Sequence, residues 1–179
     1  CLQAGQAHPV VEPELREMVY PAPGAPALAT RCAEALAAEG IPVHAVANRG
    51  FDHGTWVPLM LLYPKADIPV VQLAVQPKAG PAHHLALGRA LKGLAEEGVL
   101  IVASGALTHN LHEVFGGNYG FNDPAPAWVA DFGEWMRERI EAGKTDDIVH
   151  YRNRAPNAER NHPTEEHLLP LHVALGAAG

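Results

Sequence analysis

Eleven histidines in 179 residues, against thirteen lysines and arginines together, give this sequence a large stock of side chains that ligate metals or carry protons near neutral pH. Position selects among them. His53 lies in Phe51-Asp-His-Gly-Thr55, where Gly54 lets the backbone come close to a ligand, and it reads equally as a turn histidine at a helix start. His109 lies in Ser104-Gly-Ala-Leu-Thr-His-Asn110, just past the most apolar segment, where a loop on a rigid scaffold carries chemistry. His167, in Asn161-His-Pro-Thr-Glu-Glu-His-Leu168, falls at the third position of a helix expected to begin with Thr164 as N-cap. The helix dipole there disfavours imidazolium and leaves a neutral ring able to bind metal, although a solvated first-turn histidine is the plainer alternative. His162 and His172 lie five residues to either side, a spacing that does not share a helix face, so any metal must recruit ligands from distant segments. The pair His83-His84 opens a helix and reads first as packing.

The elements that must position these residues follow from pattern. Residues 1–24 are proline-rich and irregular, with a short helical patch around Glu14 to Val19. Ala25 to Glu39 is an alanine-rich helix stopped by Gly40. Helices are also expected over Thr55 to Leu62, Pro81 to Glu97, Pro126 to Ala142, near Asp146 to Tyr151, and from Thr164 onward. Ile41 to Val46, Ile68 to Gln76 and Val99 to Ala103 are apolar and rich in β-branched residues, as buried strands are. Strand, helix, strand, helix, strand predicts an α/β fold, a three-layer α/β/α sandwich on a largely parallel central sheet. In open sheets of that kind ligands bind beyond the carboxyl ends of the strands, where His53 and His109 would fall. Gly88, inside a helix, is expected to mark close packing on the sheet, and Trp128, Phe132 and Trp135 recur at helical spacing as a core face.

Composition narrows the function. With 47 % apolar residues the chain suits one globular domain. A formal net charge of −7 and the lack of a Lys/Arg cluster argue against a nucleic-acid partner. The longest apolar run is too short to span a bilayer, so no membrane partner is expected. Cys1 and Cys32 form neither a metal pair nor a disulfide framework, which suits a reducing, cytoplasmic setting. The chain opens at Cys1 and closes on Gly176-Ala-Ala-Gly179 after an apolar stretch, and so reads as one catalytic domain truncated at its N-terminus and at its C-terminus. No phosphate-binding loop, nucleophile elbow or His-Glu-x-x-His helix occurs.

Five segments in order, Tyr20-Pro-Ala-Pro-Gly24, Phe51-Asp-His-Gly-Thr-Trp-Val-Pro-Leu59, Tyr63-Pro-Lys-Ala-Asp-Ile-Pro-Val-Val-Gln-Leu73, Ser104-Gly-Ala-Leu-Thr-His-Asn-Leu111 and His162-Pro-Thr-Glu-Glu-His-Leu-Leu-Pro-Leu171, resemble the class III extradiol ring-cleavage dioxygenases of the DOPA-dioxygenase type. The resemblance runs from about residue 13 to the end. It implies a metal-dependent enzyme that opens a catechol-type aromatic ring with O2, with Fe(II) as cofactor and zinc as the other metal suited to imidazole ligands. It implies His167 as a metal ligand, His109 as the acid/base residue, and His53 as the residue meeting the catechol. His84 joins His53 as a candidate substrate contact. The family's other two ligands come from His-Gly-Ser-Pro and Ser-Ala-His-Trp motifs, both absent from this sequence, which implies that the chain alone does not hold a metal tightly. A zinc-binding hydrolase-like protein or a non-catalytic binding protein on the same scaffold is the competing reading. Catechol-dependent oxygen consumption separates them.

Overall fold

The computed structural model describes residues 18–47, 49–117, 119–120 and 122–179. Most of the helical patch expected from Glu14 lies outside these residues; Met18 and Val19, at its end, are not helical. The chain forms two compact units, Cys1–Val75 and Gln76–Gly179.

In the first unit, α1 (Pro26–Ala38) begins with proline in its first turn, where the missing N–H costs nothing. It ends in a Schellman motif: the Gly40 N–H donates to Ala37 O at 3.0 Å and the Ile41 N–H to Leu36 O at 3.0 Å. Gly40 has φ +71°, the left-handed conformation that a residue with a Cβ adopts only at a cost. The second helix, α2 (His53–Leu62), starts two residues before the expected Thr55 because Asp52 caps it, its carboxylate accepting from the Thr55 N–H at 3.1 Å. Leu59 of α2 packs with Tyr20 and Ala66 in a small core extended by Phe51, Trp56 and Tyr63.

In the second unit, α3 (Gly80–Leu91) tightens into a 3-10 turn, Lys92–Glu97, closed by Gly98 at φ +81°. A short α4 (Leu111–Gly116) precedes α5 (Ala127–Glu141), and three brief helices follow: α6 (Thr145–Val149), α7 (Tyr151–Arg154) and α8 (Ala158–Asn161). The last helix is α9 (Leu169–Ala178). Phe132 and Met136 of α5, Ile148, Tyr151, Ala158 and Leu168 form the buried core, with Trp135 packed against it. Of the expected aromatic stripe, Phe132 is fully buried, while Trp128 and Trp135 are half-buried beneath the Arg160 and Arg139 guanidiniums.

The expected α/β sandwich with a parallel central sheet is not what forms. Among the described residues there is no strand, and the sole β-bridge joins Gly24 to Val70, with the Val70 N–H donating to Pro23 O at 2.9 Å. Residues 41–46 and 99–103 are in no ladder. A helix satisfies its backbone within its own residues, but a strand needs a neighbour, and apolar composition does not supply one. Leu100 is accordingly 65 % exposed where a strand buried on both faces would hide it. Gly88 marks close packing, but on a helix: a Cβ at Gly88 would run into the Val173 carbonyl, and one at Gly176 into the Leu85 carbonyl, so α3 and α9 touch backbone to backbone. The last helix begins at Leu169 instead of Thr164. Pro170 fits its first turn, whereas the Thr164 hydroxyl is held by the Glu166 carboxylate at 2.8 Å and caps no N–H. Among the described residues no helix is long and apolar enough to cross a membrane.

Candidate functional site

The second unit brings two of the expected site residues together. The loop Ser104–Asn110 lies along the segment Asn157–His167 and is tied to it at five successive residues. The Ala106 N–H donates to His167 O at 2.9 Å, and the His162 ring Nε2–H donates to Leu107 O at 2.8 Å. The Thr108 hydroxyl donates to Asn161 Oδ1 at 2.6 Å, and the His109 N–H to Asn161 O at 2.9 Å. The Asn110 amide closes the series on Arg160 O at 2.6 Å, while its own Oδ1 caps α4 through the Glu113 N–H. Gly105 permits the approach, because a Cβ there would collide with the His167 carbonyl.

This stitching sets the His109 ring flat on the His167 ring, with centroids 3.4 Å apart and planes within 10°. His109 also lines a cavity of about 280 Å³ with Thr108, Asn110, Glu113, Tyr119 and Trp128, close to the lower end of small-molecule sites. One wall is braced by Arg160, whose Nε donates to Glu113 at 2.7 Å and whose guanidinium lies 4.6 Å from the Trp128 ring centre. The hydrogen bond from Arg160 holds the Glu113 carboxyl below its ordinary range. His167 keeps its Nδ1 3.7 Å from Glu166. It sits in the turn before α9, not within a helix.

Beneath the pair, Asn161 and His162 are fully buried. The Asn161 amide also donates to Trp128 O at 3.1 Å and Asn157 O at 3.0 Å, so both of its N–H donors are used and its oxygen accepts from Thr108. Burial pushes the His162 ring's pKa down, against the pull of the Leu107 carbonyl, which keeps the ring neutral with its proton on Nε2. His162 and His172, set aside in the sequence as unable to share a local metal site, are core histidines; His172 faces the Leu168 and Ile148 carbonyls, both at 3.3 Å.

His84 is buried too, its Nδ1–H donating to Gly80 O at 2.7 Å and its Nε2 accepting from the Gln76 N–H at 3.1 Å. Both ring nitrogens are therefore committed to the chain entering α3. In the first unit His53 is exposed at the start of α2. Its turn is fixed by neighbours: the Asp52 N–H and the Thr55 hydroxyl both donate to Gln72 Oε1, at 2.9 and 2.8 Å. The cap is Asp52, and the His53 ring is left to other uses. Asn161, Thr108, Asn110 and Gly105 were not singled out by sequence reasoning. Their signal was a polar residue on each side of His109, an asparagine before His162 and a glycine four residues before His109, which gains meaning only once the partner segment is known.

Among the described residues no group of three or more His, Cys, Asp or Glu is placed to hold an ion. The lone pairs of two stacked rings lie in parallel planes and do not converge on one point, and a catalytic site ordinarily takes three protein ligands.

A family model described as the catalytic LigB subunit of aromatic ring-opening dioxygenase matches residues 2–179. A 4,5-DOPA dioxygenase extradiol of Beta vulgaris is 45 % identical over 166 residues, covering 92 % of this chain and 60 % of the relative. Its namesake in Escherichia coli K12 is 41 % identical over 164 residues, covering 88 % of this chain and 58 % of the relative. The crystal structure of an uncharacterized Escherichia coli K12 protein superposes with a TM-score of 0.78 at 41 % identity, over 90 % of this chain and 65 % of that one. The chain thus spans about three fifths of the length of these curated relatives. With the family model matched along nearly its whole length, the chain belongs to the family of the catalytic LigB subunit of aromatic ring-opening dioxygenase.

Proposed function

We propose that this chain serves an extradiol dioxygenase that opens a catechol-type aromatic ring with O2, and that His109 is its proton carrier. The observation that supports this best is the placement of His109. It lies on the wall of a cavity of small-molecule size, its main chain is bound to Asn161, and its ring is stacked on His167. Ring opening by O2 requires a proton to leave a substrate hydroxyl and another to reach a leaving oxygen, and an imidazole at the cavity wall serves both needs. His53, exposed at the start of α2, is proposed to hydrogen-bond a substrate oxygen. His84, with both ring nitrogens bound to the main chain, would act by holding the entrance to α3 and not by direct contact.

His167 is proposed as one ligand of the metal, Fe(II) in our reading with zinc as the alternative; when bound, the metal would supply the redox link between ring and O2. The remaining ligands are not found among the described residues. The family model matches both units, which supports one catalytic domain spanning them. Cys32, free and buried, suits a reducing cytoplasm, and the net charge of −7 favours a small-molecule substrate over nucleic acid.

The test is catechol-dependent O2 uptake by the full chain, with bound metal measured in the same sample. Oxygen consumed in step with appearance of a ring-opened product supports the reading. Catechol binding with no oxygen uptake in metal-loaded protein contradicts it.

A further inference from the structure

His162 lies where it cannot touch a substrate: it is fully buried, tilted against Phe132 and edge-on to Tyr151, with ring centres 5.8 and 6.4 Å away. Its Nδ1 has no hydrogen-bond partner among the described residues, so its whole polar reach is spent through Nε2 on one atom, the Leu107 carbonyl. Leu107 is two residues before His109, and its own side chain is half exposed, so packing does little to fix it. Asn161 holds the next residue through the Thr108 hydroxyl, and holds His109 itself through its main-chain carbonyl. An unmatched buried nitrogen is a cost that an apolar residue of similar size would avoid.

From these contacts we infer that His162, together with Asn161, is a positioning residue: a buried clamp that fixes the 107–109 backbone and thereby lays the His109 ring on His167 at the cavity wall. The clamp acts through geometry. Removing the Nε2–H donor frees the Leu107 carbonyl and lets the loop swing, so the reacting imidazole loses its alignment while the rest of the cavity wall, Glu113, Tyr119 and Trp128 among it, keeps its place. A displacement of about 1 Å in such a group costs on the order of 10²-fold in rate. The kinetic part rests on the ring-opening reading; the geometric part does not.

The experiment compares the full chain with His162→Leu, which keeps bulk and removes the donor, and His162→Gln, whose amide N–H reaches the place of Nε2–H. Two readouts are taken: the NMR chemical shifts of the His109 ring protons, which the stacked His167 ring moves upfield, and the kcat and KM of catechol-dependent O2 uptake. The inference expects H162L to lose the ring-current shift and kcat to fall on the order of 10²-fold with KM little changed. H162Q should restore most of both. A folded H162L that keeps the wild-type His109 shifts overturns the inference. If H162L does not fold, Thr108→Val and Thr108→Ser decide by the shifts alone: loss in the first and retention in the second upholds the clamp, and retention in both overturns it. Shifts that respond as expected in a protein with no turnover leave the clamp standing and remove the ring-opening reading instead.

Discussion

Substituting alanine at Gly105 probes the contact on which the site depends. The φ of Gly105 is not in the left-handed region, so the substitution adds no backbone strain and its effect is steric. The new Cβ would lie well inside contact distance of the His167 main-chain oxygen, with the Pro170 ring 3.4 Å away on another side. A backbone carbonyl cannot rotate aside as a side chain does, so the 104–106 loop must lift from the turn before α9. That costs about 1–3 kcal/mol as overpacking. The same movement stretches the 2.9 Å bond from Ala106 to His167, worth ~1 kcal/mol net. The expected total is about 2–4 kcal/mol, a fall in Tm of roughly 4–16 °C for a chain of this length. Urea denaturation measures it, read as a shifted midpoint at constant m. Gly133→Ala is the matched control: nothing lies within 4 Å of its added Cβ and it sits inside α5, so it should stabilise by about 0.5–1 kcal/mol. A Gly105→Ala protein as stable as the wild type would refute the close approach of the two segments.

Other expectations are as direct. Gly88→Ala and Gly176→Ala should each destabilise by about 1–3 kcal/mol, and together by less than their sum because both act on one helix crossing; additive losses in denaturation midpoints would contradict the shared contact. Burial depresses the pKa of His84, His162 and His172, so below the ordinary value of 6.5 the unfolded chain takes up protons that the folded chain refuses. Stability is therefore full above that pH and falls as pH drops through it, by at most about 1.4 kcal/mol per pH unit for each ring. Thermal denaturation between pH 8 and pH 5 checks this, and a flat profile would contradict it. Asp52→Ala should cost about 1 kcal/mol through loss of the α2 cap, whereas Asp52→Asn should retain most of it.

What the sequence reveals of this protein divides by the range of the interaction. The α1 helix and its stop at Gly40, the closing turn at Gly98 and the buried Phe132 follow from local pattern, because helices satisfy their backbone within a few residues. The three strands fail for the converse reason. Ile68 to Gln76 has the composition of a strand, yet only Val70 finds a bridging partner among the described residues. Thr164 looks like a cap until its hydroxyl is seen bound to Glu166, and Pro170 then sets the true start of α9. The four histidines singled out as site residues, His53, His84, His109 and His167, were legible by type and local motif, but what fixes His109 was not. Thr108 and Asn161 are 53 residues apart, and no periodicity links them.

The division of roles between the two stacked histidines is the centre of this account, and one paired measurement tests it. Metal binding, catechol affinity and O2 uptake are determined, with Fe(II) supplied in excess, for the protein with His109→Gln and with His167→Gln. The account predicts that H167Q lowers bound metal, whereas H109Q keeps metal and catechol binding at wild-type levels and loses turnover by about 10²–10⁴-fold, the usual contribution of a positioned acid/base. Wild-type turnover in H109Q, or wild-type metal content in H167Q, would contradict it.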